Sequence, residues 1–448
     1  MKLLIIGAGP GGYETAVAAA KRGAEVTIVS DGPVGGTCLN EGCIPTKSFC
    51  RNAQVLDDVR QGSTFGVDIP QYSFDFQKVV QRKNQVVEQL RGGVEFLLGG
   101  KNITLVRGKA AFKDAHTVVV DGTEYSADYV IIATGSHSAT LPIPGNDLPG
   151  VITSTEILDL DAVPKRLVVI GGGVIGLEFA SIFNSFGSSV TVVEFCKEIL
   201  PRFDTDLAKR LKQSLSKKGI SIETSAAVQS IAKAGDGLYV TYVKKDKEFV
   251  LEADKVLMAV GRRPNVNTIN LDDVGVAYSP KGIQVDGEMR TSVPNIFAIG
   301  DVTGGIMLAH AAIFQGLVAL DAIFGEKEHD IDLSIIPAAV FTEPEAATVG
   351  LTEEECEAKG LKITCLKSFF RANGKALSMA APDGFCKLIV SEEDGRLLGC
   401  HLFGAHSSDI IQEIAALMNS KATLRDLRSI IHAHPTLTEV LQGAAHSA

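Results

Sequence analysis

The chain has 448 residues, 45% of them hydrophobic and 21% charged, with 53 acidic against 43 basic side chains and a net charge of −10. That length predicts two to four domains, and the composition predicts ordinary globular folding. The acidic balance without any Lys/Arg run of five or more argues against a nucleic-acid surface, no stretch approaches the ~20 apolar residues that would span a bilayer, and eight cysteines, scattered apart from one close pair, fit a reducing, cytoplasmic setting better than a disulfide scaffold.

The chain opens on the apolar run Leu3-Leu4-Ile5-Ile6. It is too short for the apolar region of a signal peptide and runs into a glycine turn, so it predicts a buried strand. Gly7-x-Gly9-x-x-Gly12 follows, then a helical pattern around Ala16 to Ala20 and a second strand over residues 25–29. In this strand–turn–helix context the first glycine permits the tight turn, the second lets a pyrophosphate approach the backbone, and the third lets helix and strand pack closely. The phosphates would sit on the helix N-terminus. An acidic residue at the end of the second strand would grip a ribose. Here that position is Ser30 with Asp31 beside it, which leaves the contact open.

Next comes Gly35-Gly36-Thr37-Cys38-Leu39-Asn40-Glu41-Gly42-Cys43-Ile44-Pro45-Thr46-Lys47. Two cysteines this close, beside a nucleotide turn, point to a disulfide used as an electron relay. A helix N-terminus near one of them would stabilise its thiolate. The alternatives are a metal clip or two unrelated buried thiols. A structural zinc site wants a second pair of Cys or His at short spacing, and only Cys50 stands nearby, so no metal is expected.

A strand over residues 129–132 ends at Ala133-Thr134-Gly135, and a Pro/Gly-rich connector spans 141–150. The opening pattern then recurs: Leu167-Val168-Val169-Ile170, Gly171-x-Gly173-x-x-Gly176, a helix around residues 179–183 and a strand over 190–193. Two such motifs in full context predict two dinucleotide sites. The second strand ends in Glu194, a carboxylate that accepts from a ribose 2′-OH and repels a 2′-phosphate, which favours NAD over NADP, while Lys197 and Arg202 pull the other way. Met258-Ala259-Val260-Gly261-Arg262-Arg263-Pro264-Asn265 reads as another strand end, and Asn295 to Asp301 as a buried strand delivering an Asp to a loop. From about Ser334, strands over 338–341, 387–390 and 397–403 with helices near the end predict an α+β domain.

Near the end, His434 is a candidate acid–base group, because imidazole titrates near neutrality. Glu439 would orient it and stabilise its cation. Thr436-Leu437-Thr438-Glu439 is also a capping-box pattern, with Pro435 at a helix start, and the two roles are compatible.

Taken together, the Cys38–Cys43 stretch, Ala133-Thr134-Gly135, Gly261-Arg262-Arg263-Pro264-Asn265, Ile299-Gly300-Asp301, Phe341-Thr342-Glu343-Pro344-Glu345 and His432-Ala433-His434-Pro435-Thr436-Leu437-Thr438-Glu439 make the chain resemble the flavin-dependent pyridine-nucleotide disulfide oxidoreductases along essentially its whole length. The resemblance implies an α/β fold with two Rossmann-like dinucleotide-binding domains and an α+β C-terminal dimerisation domain. The expected boundaries are an FAD domain over 1–142, an NAD domain over 143–264, a central segment returning to the flavin over 265–333, and an interface domain over 334–448. It implies FAD held by Gly7, Gly9, Gly12, Asp31, Gly36, Thr37, Lys47, Ala110, Thr134, Gly135, Ser136, Asp301 and the Met307, Leu308, Ala309, His310 backbone. It implies NAD held by Gly171, Gly173, Val174, Ile175, Gly176, Glu178, Glu194, Val228 and Gly261. Cys43 would touch the flavin, Cys38 would exchange with substrate, and Lys47 would pair with Glu178, which could otherwise be a solvated helix face. His434 would come from the partner subunit of a homodimer.

Within that family the chain fits the branch that oxidises dihydrolipoyl groups with NAD+. Those groups would be carried by another protein of a 2-oxo acid dehydrogenase or glycine cleavage complex. The alternatives are a glutathione- or mercuric-reductase-like enzyme running from NAD(P)H outward, or a flavin-holding redox sensor. Ala444 to Ala448 lacks the cysteine pair expected for mercury handling, and Phe314-Gln315 departs from the more acidic residues of the pattern.

Overall fold

The computed structural model describes residues 1–447; Ala448, the last residue of the expected interface domain, lies outside them. Two parallel five-stranded sheets dominate the first three-quarters of the chain. The first runs in the order Ile296–Ala298, Tyr129–Ile132, Lys2–Ile6, Glu25–Ser30, Ile103–Arg107. The second runs Ser221–Glu223, Ser189–Val193, Arg166–Ile170, Lys255–Met258, Val151–Ile152. The central strands are continuous Val/Ile/Leu runs because both faces of a parallel sheet are covered: Leu3 to Ile6 and Leu167 to Ile170 are all buried. The strand Ile296–Ala298, far along the chain, closes the edge of the first sheet against Tyr129–Ile132.

Each parallel sheet carries a three-stranded antiparallel annex, Ala110–Asp114 to Thr123–Ser126 in the first unit and Ala227–Ala234 to Lys247–Ala253 in the second. The two units are stitched by Ser136–Ser138, which pairs antiparallel with Arg262–Pro264. The C-terminal part is an antiparallel sheet ordered Ala338–Val340, Ala346–Gly350, Leu397–Phe403, Phe385–Ser391, Ile363–Phe369. The helices Ser407–Asn419, Leu424–Ser429 and Glu439–Ala445 contribute to the core beside it.

What fixes the geometry of the site is a cluster of aromatic rings between the units. Phe49 on the helix Cys43–Arg60 is fully buried, 6.0 Å from the Phe76 ring and 5.9 Å from the Phe186 ring of the helix Val174–Phe186. Phe183 joins them at 6.2 Å from Phe76. Such edge-to-face pairs add ~0.5–1.5 kcal/mol each to the apolar burial. They clamp the helix that starts at Cys43 onto the helix that follows the second glycine turn. The second unit is tied to the C-terminal sheet by Lys387, whose buried ammonium donates to Asp204 Oδ2 at 2.8 Å.

Candidate active site

The two glycine turns have the same geometry for the same reasons. Gly7 and Gly171 have φ of +111° and +109°, and a Cβ on either would lie 2.2 or 2.3 Å from the carbonyl oxygen of Ala133 or Ala259. A Cβ on Gly12 or Gly176 would lie 1.9 or 2.1 Å from the oxygen of Gly7 or Gly171, so these glycines bring helix and strand into contact. The middle glycines differ in kind. Gly173 has an ordinary φ of −79° and nothing within 4 Å of its Cβ position. Gly9 has φ −72° and only the Gly36 Cα, at 3.9 Å. Neither strain nor a neighbour within the chain demands glycine at 173, and the naked backbone there fits a pyrophosphate.

One cavity of about 2370 Å³ joins both turns to the cysteine segment. Of the expected cofactor residues all but Gly176 line it, including Asp31, Ala110, Thr134, Asp301, the Met307 to His310 stretch, Glu194 and Val228. Gly176 is instead spent on the helix–strand contact. At the first strand end the buried Ser30 hydroxyl donates to Gly32 O at 2.9 Å, leaving Asp31 as the exposed carboxylate on the cavity. Glu194 is buried and accepts from Gly172 N–H at 2.5 Å and Cys196 N–H at 2.6 Å. His310 stands in the first turn of the helix Ala309–Phe324, hydrogen-bonded through Nε2 to Pro337 O at 2.8 Å.

Cys38 lies in the short helix Gly36–Asn40 and Cys43 is the first residue of the 18-residue helix Cys43–Arg60. Both are free thiols on the cavity wall. The hydrogen bond with the Cys38 thiol and the nearby Lys47 ammonium outweigh burial and Glu178, and hold Cys43 down to about 7. The same hydrogen bond, burial and the charge of Cys43 push Cys38 up. The pair therefore ionises at Cys43, where the helix N-terminus also favours negative charge.

One helical turn on, Lys47 Nζ donates to Glu178 Oε1 and Oε2 at 3.0 and 2.9 Å and lies 4.5 Å from the Phe341 ring centre. Burial disfavours the ammonium, but attraction to and hydrogen bonds with Glu178 hold Lys47 above its ordinary value. Glu178 is buried and also accepts from Phe341 N–H at 3.0 Å, so the solvated-face alternative is overturned. Removing Lys47 would leave the buried Glu178 carboxylate uncompensated, at a cost below that of a fully buried pair because the Lys47 side chain is 32% exposed.

His434 and Glu439 stand apart from this cavity. The His434 side chain is 78% exposed, and its Nδ1 is 2.9 Å from Glu439 Oε1. Glu439 Oε2 accepts from Thr436 N–H at 2.9 Å, which is half of a capping box. The other half is missing: Thr436 Oγ1 donates to Ala433 O, and the helix begins at Glu439, not at Pro435. One carboxylate thus serves the imidazole and the turn together.

Three further contacts have no local sequence signal. Arg91 Nε donates to Asn40 Oδ1 at 2.9 Å while Asn40 Nδ2 donates to Val34 O and Gly36 O, bracing the segment between the cysteines. Arg262 Nε donates to Ser136 Oγ at 2.7 Å, and Ser136 Oγ donates to Asp301 Oδ2. Gln315 Oε1 accepts from Gly300 N–H at 2.7 Å, a structural role for a residue outside the expected pattern.

Two glycine turns opening on one cavity with a paired dithiol fit a disulfide enzyme that uses two nucleotides. Residues 1–316 match the pyridine nucleotide-disulphide oxidoreductase family and residues 336–445 match that family's dimerisation domain. The chain belongs to this family and is an NAD-dependent flavoprotein oxidoreductase. Among its relatives, the dihydrolipoyl dehydrogenase of Geobacillus stearothermophilus is 42% identical over 450 residues, covering 99% of this chain and 95% of the relative. A dihydrolipoyl dehydrogenase of Bacillus subtilis (strain 168) is 42% identical, covering 99% and 96%. The solved HOCl-induced flavoprotein disulfide reductase RclA from Escherichia coli is 32% identical, with a TM-score of 0.88 and 99% of each chain covered. No helix among the described residues is long and apolar enough to cross a membrane.

Proposed function

We propose that the chain oxidises the dithiol of a dihydrolipoyl group to its disulfide with NAD+ as acceptor. FAD would lie on the Gly7–Gly12 turn, with Asp31 toward its ribose and Asp301 toward its ribityl chain, and NAD+ on the Gly171–Gly176 turn, with Glu194 toward its ribose. The observation that carries the reading is that both turns and the ionisable Cys38–Cys43 pair share one cavity.

In the oxidised enzyme, one substrate thiolate attacks Cys38 Sγ of the Cys38–Cys43 disulfide. The S–S bond breaks and Cys43 departs as a thiolate, stabilised by Lys47 and the helix N-terminus. The second substrate thiol then attacks the mixed disulfide. The cyclic disulfide leaves, Cys38 is released as the thiol, and the substrate has lost two electrons and two protons. His434 takes the proton that the thiolate leaves behind, with Glu439 stabilising the imidazolium. When bound, the flavin supplies the two-electron relay from the dithiol to NAD+. Since His434 is exposed and off the cavity of its own chain, it would serve the site of a second subunit in a homodimer. The substrate group would be carried by another protein of a 2-oxo acid dehydrogenase or glycine cleavage complex, in the cytoplasm. The likeness to RclA supports a second reading, a disulfide reductase running outward from a reduced nicotinamide.

Purified protein should be yellow and should reduce NAD+ with dihydrolipoamide. Cys38→Ser should keep the flavin, lose this turnover and gain a long-wavelength absorbance band from the Cys43 thiolate without reductant. A colourless protein, or one that reduces disulfides with NADPH yet leaves dihydrolipoamide untouched, would overturn the reading.

A further inference from the structure

The segment that carries His434, residues 430–438, has no helix or strand of its own. Ile431 is 96% exposed and the His434 side chain 78% exposed, yet the His432 side chain between them is 3% exposed. It turns inward to the helix Ser407–Asn419, where Nε2 lies 3.0 Å from Glu413 Oε1. Its other nitrogen, Nδ1, is buried with no hydrogen-bond partner among the described residues. A buried unpaired nitrogen is destabilising, and an apolar ring would fill the space without that loss. An imidazole kept there at a cost calls for more than a packing explanation.

Glu413 meets the His432 ring directly, and Glu439, at the start of the helix Glu439–Ala445, is near enough for a charge at 432 to help hold its carboxyl below the ordinary value. Arg428, on the helix between, donates instead to Ala445 O at 2.7 Å. Glu439 is the carboxylate that holds His434. Two imidazoles two residues apart are therefore each paired with a carboxylate, His432 turned inward to Glu413 and His434 projecting beside Glu439.

We propose that Glu413 and His432 form an anchor that sets the position of the His434–Glu439 pair, so that His432 is a positioning residue for proton transfer from the dithiol. The inference rests on the reading of His434 given above. The ring of His432 pins an otherwise irregular segment to a long helix, and the inward turn at 432 forces its neighbours outward, where a site on a second subunit would meet His434.

The test uses the full-length, flavin-loaded enzyme and follows two half-reactions by flavin absorbance, reduction by dihydrolipoamide and reduction by NADH. His432→Phe should slow the dihydrolipoamide step ~10–100-fold, the scale of a ~1 Å misplacement of a reacting group. The NADH step, which needs no base, should stay within about two-fold. His432→Gln, whose amide can still donate to Glu413, should recover most of the lost rate. If His432→Phe does not fold, Glu413→Ala carries the same expectation. A dihydrolipoamide step that is unchanged in both variants, or both half-reactions falling in proportion with melting temperature, would overturn the anchor. His434→Ala run alongside separates the two ideas. If it is slow while His432→Phe is normal, only the anchor fails; if it is itself unchanged, the reading of His434 fails and the anchor with it.

Discussion

The two glycine turns share a backbone and differ in what surrounds it. In both, the outer glycines answer to carbonyl oxygens 1.9–2.3 Å from where a Cβ would go. Those contacts belong to the chain itself. The middle glycines answer to nothing of the kind at 173 and to a distant Cα at 9, so no contact within the chain demands them and they stand open to a ligand. Around this common frame the units diverge. The first turn has the dithiol segment resting against it through Gly36, whose Cβ would come within 2.6 Å of Gly9 Cα, and its strand ends in a self-bonded serine. The second ends in a buried glutamate that ties its own turn together through Gly172 N–H. Sterics fix the shared part, and side-chain packing decides the part that distinguishes one unit from the other.

One added methyl at each of two neighbouring glycines should separate the two kinds of constraint. Gly176→Ala drives a Cβ into Gly171 O and should cost about 1–3 kcal/mol or more. In a domain of this size that lowers the melting temperature by roughly 2–4 °C per kcal/mol. Gly173→Ala meets no protein atom and should leave stability within about 0.5 kcal/mol. It should instead raise the KM for NAD+ about 10-fold, a ~1.4 kcal/mol loss. Equal melting losses for the two variants would refute the division between chain-imposed and ligand-imposed glycines.

A smaller effect tests the strand ends. On the proposed reading, Glu194→Ala would remove an acceptor for the ribose 2′-OH and the repulsion of a 2′-phosphate. The preference for NAD+ over NADP+ in kcat/KM should narrow by ~10–100-fold, the worth of one hydrogen bond to a charged group. An unchanged ratio would remove Glu194 from nucleotide selection. Asp31→Ala in the first unit should leave that ratio as it is.

The smallest effect sharpens the asymmetry of the dithiol. Cys43 lies at about 7, with Lys47 among the causes that lower it. Below that pH Cys43 is the thiol and above it the thiolate, so alkylation of the reduced enzyme should rise through about 7. Lys47→Met removes the cation and leaves Glu178 unopposed, both of which favour the thiol, so the midpoint should move up by about a unit. A midpoint that stayed in place would take Lys47 out of thiolate stabilisation.

Much of this molecule is legible in the sequence. The strands that begin each unit are apolar on both faces, and the turns after them use glycine where no other residue fits, so Lys2–Ile6, Arg166–Ile170 and their motifs announce themselves. Tyr129–Ile132 is read to the residue. The capping-box pattern misplaced the start of the last helix by several residues, because the same Glu439 side chain also serves His434 and Thr436 bonds elsewhere. The contacts of Arg91, Arg262 and Gln315 were not legible, although Arg262 and Gln315 stand in segments the sequence singles out, since each meets its partner across a distance in the chain that no local period spans.

By itself, the sequence determined the two nucleotide folds, the dithiol and the family, because local sterics and short spacings suffice for each. Only the tertiary structure decided that Lys47 meets a buried Glu178, that Glu194 closes its own turn, and that His434 faces away from the cavity of its own chain. The physical reason is the same in all three. A charge partner or a direction of approach depends on how separate elements pack, here on an aromatic clamp between two helices and an imidazole turned into the core, and packing joins residues that the chain holds far apart.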